Sequence, residues 1–194
     1  YGFGRNEDGL LQPVTLMYVI DGVDESRAIT CIGEEDNVKL GEERFLDVTA
    51  RFCKQGVLPE NTSSVRLYKT VNPGERLVNT TQVNYVNPLN HQDVMRAELE
   101  LRNQIDQINA FLKKYVPGYE QCRVKMTADT LGIRESRRIM GEYILHEDDL
   151  RSGKRFEDVV VHKANFVVDI HNPTGGGQAY GLAEVVQPYD IPYR

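Results

Sequence analysis

The residues with the most capacity for chemistry lie in Gly132-Ile133-Arg134-Glu135-Ser136-Arg137-Arg138-Ile139-Met140-Gly141-Glu142-Tyr143. Three arginines, two glutamates, a serine and a tyrosine sit close to two glycines. A guanidinium is a forked, permanently charged donor that matches a carboxylate or phosphate, and glycine lets the backbone run close to a neighbour. If the stretch is partly helical, Arg134 and Arg138 share one face and can grip an anion together. The competing reading is internal salt bridging to Glu135, Glu142 or the acidic run 147–149. A buried arginine would need such a partner in either case.

A second polar cluster, Asp169-Ile170-His171-Asn172-Pro173, lies some thirty residues on. At the end of a strand, alternation would put Asp169 and His171 on the same side, with an imidazole that titrates near neutrality beside a carboxylate. A lone histidine is more often structural, so the residues alone leave both roles open. A third cluster, Pro188-Tyr189-Asp190-Ile191-Pro192-Tyr193-Arg194, follows. Tyr143, Tyr189 and Tyr193 have the amphipathic character to fill a core or to line a site.

Other chemistries lack their signatures. Gly2, Gly4 and Gly9 do not have dinucleotide-binding spacing and do not join a strand to a helix. No Gly-x-Ser-x-Gly elbow, phosphate-binding P-loop or His-Glu-x-x-His occurs. His91, His146, His162 and His171 do not pair at ligand spacing, so no metal is expected. Cys31, Cys53 and Cys122 are odd in number and far apart, which reads as small buried hydrophobes rather than a zinc site or disulfide framework.

The elements that must position these clusters read as follows. Residues 1–12 are glycine-rich and polar, a loop-like or disordered end. Residues 14–20 form a nearly continuous apolar strand closed by Asp21-Gly22, which suggests burial on both faces. Phe45, Val48, Phe52 and Cys53 fall on one side of a short helix. Residues 65–71 and 76–85 flank Asn72-Pro73-Gly74-Glu75, a hairpin turn. The clearest element is a helix over 93–115, where Val94, Ala97, Leu101, Ile105, Ile108, Leu112 and Tyr115 make one apolar stripe. Asp93 is positioned to cap its start, and Pro117-Gly118 to stop it. Strands are expected at 123–129, 142–145 and 164–170, a helical turn at 146–150, a short helix at 156–162 and an edge strand within 185–193. Strands, helix and strands without βαβ alternation predict an α+β fold, a largely antiparallel or mixed sheet packed on one long helix.

At 194 residues and 22.1 kDa, with 40% hydrophobic and 27% charged residues, the chain can build one sizeable core. A net charge of −6 argues against nucleic acid, and no apolar run approaches a membrane span. Both ends look cut from something longer, so residues 13–194 read as one domain of a larger protein.

Gly-Ile-Arg-Glu-Ser-Arg-Arg-Ile followed by Gly-Glu-Tyr resembles a signature of the FAD-dependent oxidoreductase family, some of whose bacterial members carry a xanthan lyase label. The match continues through Val14-Thr15-Leu16-Met17, Gly22-Val23-Asp24, Glu147-Asp148-Asp149, Phe156-Glu157-Asp158, Asp169-Ile170-His171 and residues 189–194. His146 departs from the pattern, standing where threonine is common at a helix start. The resemblance implies the middle substrate or cap domain of a bacterial flavoprotein, cytoplasmic or exported. It would cover the flavin and orient a small-molecule substrate for hydride transfer. FAD belongs to the full-length protein, whose separate FAD-binding domain is the implied partner, and the fragment alone is expected to bind none and to be inactive. By the same resemblance Arg134, Arg137 and His171 are candidate catalytic residues, and Arg138, Glu142, Tyr143 and Asp169 candidate substrate contacts. The alternative is a carbohydrate-interaction or polysaccharide-processing module, with a carbohydrate-derived ligand. The absence of tryptophan, the usual sugar platform, weighs against it. A protein-interaction domain using the long helix is a third reading.

Overall fold

The computed structural model describes residues 1–33, 36–166, 169–178 and 187–194. In chain order these form β1 (Gly2–Phe3), β2 (Tyr18–Asp21), β3 (Lys39–Leu40), β4 (Glu43–Arg44), α1 (Phe45–Lys54), β5 (Arg66–Lys69), β6 (Arg76–Asn79), α2 (His91–Tyr115), β7 (Arg123–Thr127), β8 (Arg137–Arg138), α3 (Glu147–Ser152), β9 (Val159–Ala164) and β10 (Tyr189–Pro192). The fold is α+β, and the strand pairings are antiparallel.

The central sheet has the order β5-β6-β2-β7. Its β5–β6 hairpin turns at Asn72-Pro73-Gly74, where Gly74 takes a positive φ of 76°. β2 alternates instead of being buried throughout: Tyr18 and Ile20 point into the core while Val19 and Asp21 are half-buried. The expected strand at 14–20 is shorter than its apolar run. Val14 and Thr15 make isolated bridges to Val83 and Gly132 before the continuous ladder begins.

α2 covers this core. Ala97, Leu101, Ile105, Ile108 and Leu112 are buried with Leu16, Tyr18, Ile20, Leu67 and Val78 in a single cluster, as the three-and-four spacing requires. At ~1.5 Å per residue the helix runs about 37 Å. Its cap is Asn90 rather than Asp93: the Asn90 side chain accepts from the N–H groups of Gln92 and Asp93, and the Asp93 carboxylate accepts from Asn87 N–H instead. Gln104 is buried on the apolar face because it makes a paired contact with the Gln82 backbone, its Oε1 accepting and its Nε2 donating, both at 2.9 Å. Phe52 of α1 meets Tyr115 at a centroid distance of 4.3 Å and Phe111 at 5.2 Å, which seats the short helix on the long one.

The remainder departs from the expected elements. Residues 132–143 are not helical; Arg137 and Arg138 form a strand paired with Gly2–Phe3, so the first residues are partly ordered by the arginine segment. Residues 142–145 form no strand, because Tyr143 is held through its hydroxyl by α3 rather than by a ladder. Residues 156–162 are not a helix: the β-branched run Val159-Val160-Val161 joins β9, which pairs with β10. Ala164 closes β9, so the strand expected over 164–170 coincides with an observed strand only at its first residue; residues 165–166 and 169–170 are not strand, and Val167 and Val168 lie outside the described residues.

Candidate functional site

The N-terminal loop draws the two predicted polar clusters together. Gln12 donates its backbone N–H to Glu135 Oε2 at 3.1 Å, and its Oε1 accepts the backbone N–H of His171 at 3.0 Å. One residue thereby ties the arginine segment to the histidine segment. Beside it lies a cleft of 530 Å³ lined by residues that include Arg5, Glu7, Gln12, Glu135, Glu147 and Ile170. Four separate parts of the chain contribute to it.

The three arginines have different fates. Arg138 is exposed and pairs with Glu135 through Nη1, while Nη2 donates to the Gly4 carbonyl at 2.7 Å. This is the internal salt bridge that competed with a ligand role. Arg134 is half-buried and donates to the Pro13 carbonyl at 2.9 Å. Burial pulls its pKa below the usual guanidinium value, against the opposing attraction of Asp169. Arg137 is exposed, with its guanidinium 5.8 Å from the centre of the Tyr1 ring. Among the described residues neither Arg134 nor Arg137 forms an ion pair with a carboxylate. With Arg134 in an irregular stretch and Arg138 in β8, the two do not form the helical grip that spacing allowed.

The glycines at both ends do mark close backbone approach, but to the chain itself. Gly132 exchanges both backbone hydrogen bonds with Thr15. A Cβ on Gly141 would stand 2.9 Å from the Arg194 carbonyl oxygen, which brings the last residue against the arginine segment.

His171 keeps company with Asp169, Nε2 to Oδ1 at 3.9 Å, with little of the imidazole side chain exposed. The carboxylate accepts from Gln178 Nε2 at 2.8 Å on the same oxygen. A loop closed by the His171–Gln178 bridge, rather than a strand, holds the pair together.

Tyr143 belongs to a second cluster. Its hydroxyl donates to Asp149 Oδ2 at 2.7 Å and receives the Lys154 ammonium, which also lies 2.9 Å from Asp149 Oδ1. Burial works to raise the Asp149 carboxyl. The His146 N–H, the Tyr143 hydroxyl and Lys154 outweigh it and hold the group at about 2. The same carboxylate accepts the His146 N–H at 2.9 Å and so starts α3, whatever residue stands at 146. Glu142, next to Tyr143, is exposed. Tyr189 is buried and Tyr193 exposed, and neither is among the residues that line the cleft.

Gln12 and Lys154 have no signal in the sequence. Each acts across the fold, and neither lies in a recognisable spacing. Asp190 was legible only as part of a motif. It is buried and gathers Arg155 at 2.7 Å, the Lys163 N–H at 3.0 Å and His162 at 3.1 Å, locking β9 to β10.

The fold and cleft define an α+β domain that presents charged and titratable groups on a partly open surface. The model of the FAD dependent oxidoreductase family matches residues 1–194, and the chain belongs to that family. No curated protein and no solved structure matches it.

A flavin dinucleotide needs a cradle for its pyrophosphate, normally free backbone N–H groups where a glycine turn opens a helix. Among the described residues the start of α2 is taken by the Asn90 side chain and the start of α3 by the Asp149 carboxylate. α1 opens on Arg44-Phe45 with Asp47 in its first turn and no glycine. These residues do not fit that part of FAD. No helix among them is long and apolar enough to cross a membrane.

Proposed function

We propose that this chain is the substrate-facing cap domain of an FAD-dependent oxidoreductase, with the dinucleotide cradled by a separate domain of the same protein. The observation that carries this reading is the Gln12 tie, which joins the arginine segment to the His171 loop beside a cleft lined by Glu135, Ile170 and Pro173, in a chain of this family. The lack of a pyrophosphate cradle in the described helices supports the division of labour.

In this reading Arg134 and Arg137, neither spent on a carboxylate, bind an anionic or carbonyl group of a small-molecule substrate. His171 moves a proton with Asp169 as its charge partner. Glu142, which is exposed, orients the substrate from the flank, while Arg138 and Tyr143 hold that flank in place through Glu135 and Asp149. Ile139, Met140, Ile144, Val160 and Phe166 are all exposed, apolar side chains that docking of a flavin-binding domain would cover.

Titrating the 194-residue chain with FAD and following flavin fluorescence tests the proposal. No quenching is expected from this chain, whereas a longer protein containing a dinucleotide-binding domain should purify with bound flavin. Stoichiometric FAD on the 194 residues alone would overturn the cap reading.

A further inference from the structure

A second cleft, of 610 Å³, shares no lining residue with the first and takes part of its wall from Thr174, Gly175 and Gly176. It lies between α2, the segment around Tyr85 and residues 174–176. Ligand pockets commonly occupy about 300–1,000 Å³, so its size suits one or two sugar rings. No lysine or arginine lines it, and Glu60 and Glu100 do; Arg96, 3.7 Å from Glu100, balances one of the two, and the remaining negative charge disfavours phosphates and carboxylates.

The wall is an interlocked set of amides. Asn84 Nδ2 donates to the Asn172 carbonyl at 2.9 Å, Gln82 Nε2 to Gly175 O at 2.5 Å, and Asn61 Nδ2 to Gln82 O at 2.6 Å. A Cβ on Gly176 would stand 2.3 Å from Asn61 O, so only glycine lets this loop close on the wall. The scaffold is therefore fixed before any ligand arrives. Facing it, Asn103 and Gln107 sit one turn apart on α2, and both side chains are without hydrogen bonds among the described residues. An amide offers a donor and an acceptor together, which matches adjacent hydroxyl groups.

Tyr85 completes the arrangement. It is 60% exposed and adopts a φ of 58°, an uncommon conformation for a bulky residue, with its carbonyl accepting from Arg96 at 3.2 Å. An exposed ring beside amides and carboxylates offers an apolar platform for the C–H face of a pyranose.

We propose that this cleft binds a neutral, polyhydroxylated ligand of mono- or disaccharide size, through Asn103, Gln107, Glu60 and the face of Tyr85. The inference does not rest on the flavin reading, because occupancy needs no redox turnover. Saturation-transfer NMR on the protein, with glucose, galactose, mannose, xylose, cellobiose, maltose and lactose in turn, tests it. Glucose 6-phosphate and glucuronate serve as anionic controls. At least one neutral sugar should saturate, and the anionic controls should bind at least tenfold more weakly. Gln107→Ala and Asn103→Ala, exposed helix positions where alanine favours folding, should each weaken binding about tenfold, as should Tyr85→Ala. Amide shifts on sugar addition should fall on residues 174–176. No saturation by any of the seven sugars, tighter binding of the anionic controls, or binding indifferent to all three substitutions would each reject the site.

Discussion

Glu25 receives both arms of the Arg76 guanidinium, Oε1 to Nη1 at 2.6 Å and Oε2 to Nη2 at 2.9 Å, across 51 residues of chain. Arg76 is completely buried within β6, while the Glu25 side chain is partly exposed. The pair therefore closes the mouth of the core, with the charge that water cannot reach on the arginine side. Removing its partner strands that charge. Glu25→Gln should destabilise the protein by about 3 kcal/mol, near the low end for breaking a buried pair because Glu75 O still accepts from Nη1. Arg76→Met, which leaves the half-exposed carboxylate to water, should cost less. Urea unfolding of both variants decides the order; a milder effect for Glu25→Gln than for Arg76→Met would show that the guanidinium is solvated.

Acid should weaken the fold through carboxylates held below their usual range, among them Glu25, Asp149 and Asp190, which tie distant segments together. Glu25 is lowered from 4.5 to about 2, first by Arg76 and then by the Gly74 N–H. Asp190 is lowered from 3.8 to about 2, chiefly by the Lys163 N–H and then, against burial, by Arg155. Asp149 falls from 3.8 to about 2. Each folded pKa lies below its unfolded value, so the unfolded chain binds more protons in acid. The stabilisation is complete above about pH 5 and drains away as pH falls through 4 toward 2. Circular dichroism at fixed urea should show a flat plateau from pH 7 to 5 and a loss below it. Stability that rises on acidification would contradict the assignment.

The Tyr143 hydroxyl is spent inside the protein, between Asp149 and Lys154. Tyr143→Phe should cost about 1.5 kcal/mol, the usual range for a hydrogen bond to a charged group. Asp149→Ala should cost more, since α3 loses its N-terminal carboxylate and Lys154 its partner. A thermal shift assay separates the two. If Tyr143→Phe leaves the melting temperature unchanged, the hydroxyl is available to a substrate instead.

Legibility followed the locality of the physics. The stripe from Ala97 to Leu112 could be read because each residue reports on the same helix face, and Asn72-Pro73-Gly74 because the turn is made of its own residues. Misreadings arose where a partner far away decided. Residues 156–162 are expected as a short helix, yet Val159-Val160-Val161 pairs with β10 around the buried Asp190. Arg134 and Arg138 could share a helix face, but Gly2–Phe3 supplies a strand to pair with instead. At the site the types of residue were legible and the joint was not. Nothing local to Gln12 announces a hydrogen bond to His171, 159 positions away.

That joint can be tested by itself. Gln12 Oε1 is the acceptor for the His171 N–H, so Gln12→Ala leaves that donor to compete for water and loosens the loop from 171 to 178. Amide exchange at His171 should speed up several-fold, with a stability loss of about 1 kcal/mol. Gln12→Glu keeps an acceptor oxygen in the same place and should restore slow exchange, even though it adds charge near Glu135. Glu135→Gln provides the contrast: it keeps an oxygen for the Gln12 N–H but gives up the exposed pair with Arg138, worth about 0–1 kcal/mol. His171 exchange should hardly change in that variant. Equal exchange rates in the wild type and Gln12→Ala would mean the loop is held by its own turn, and the two segments would then share a cleft without being coupled.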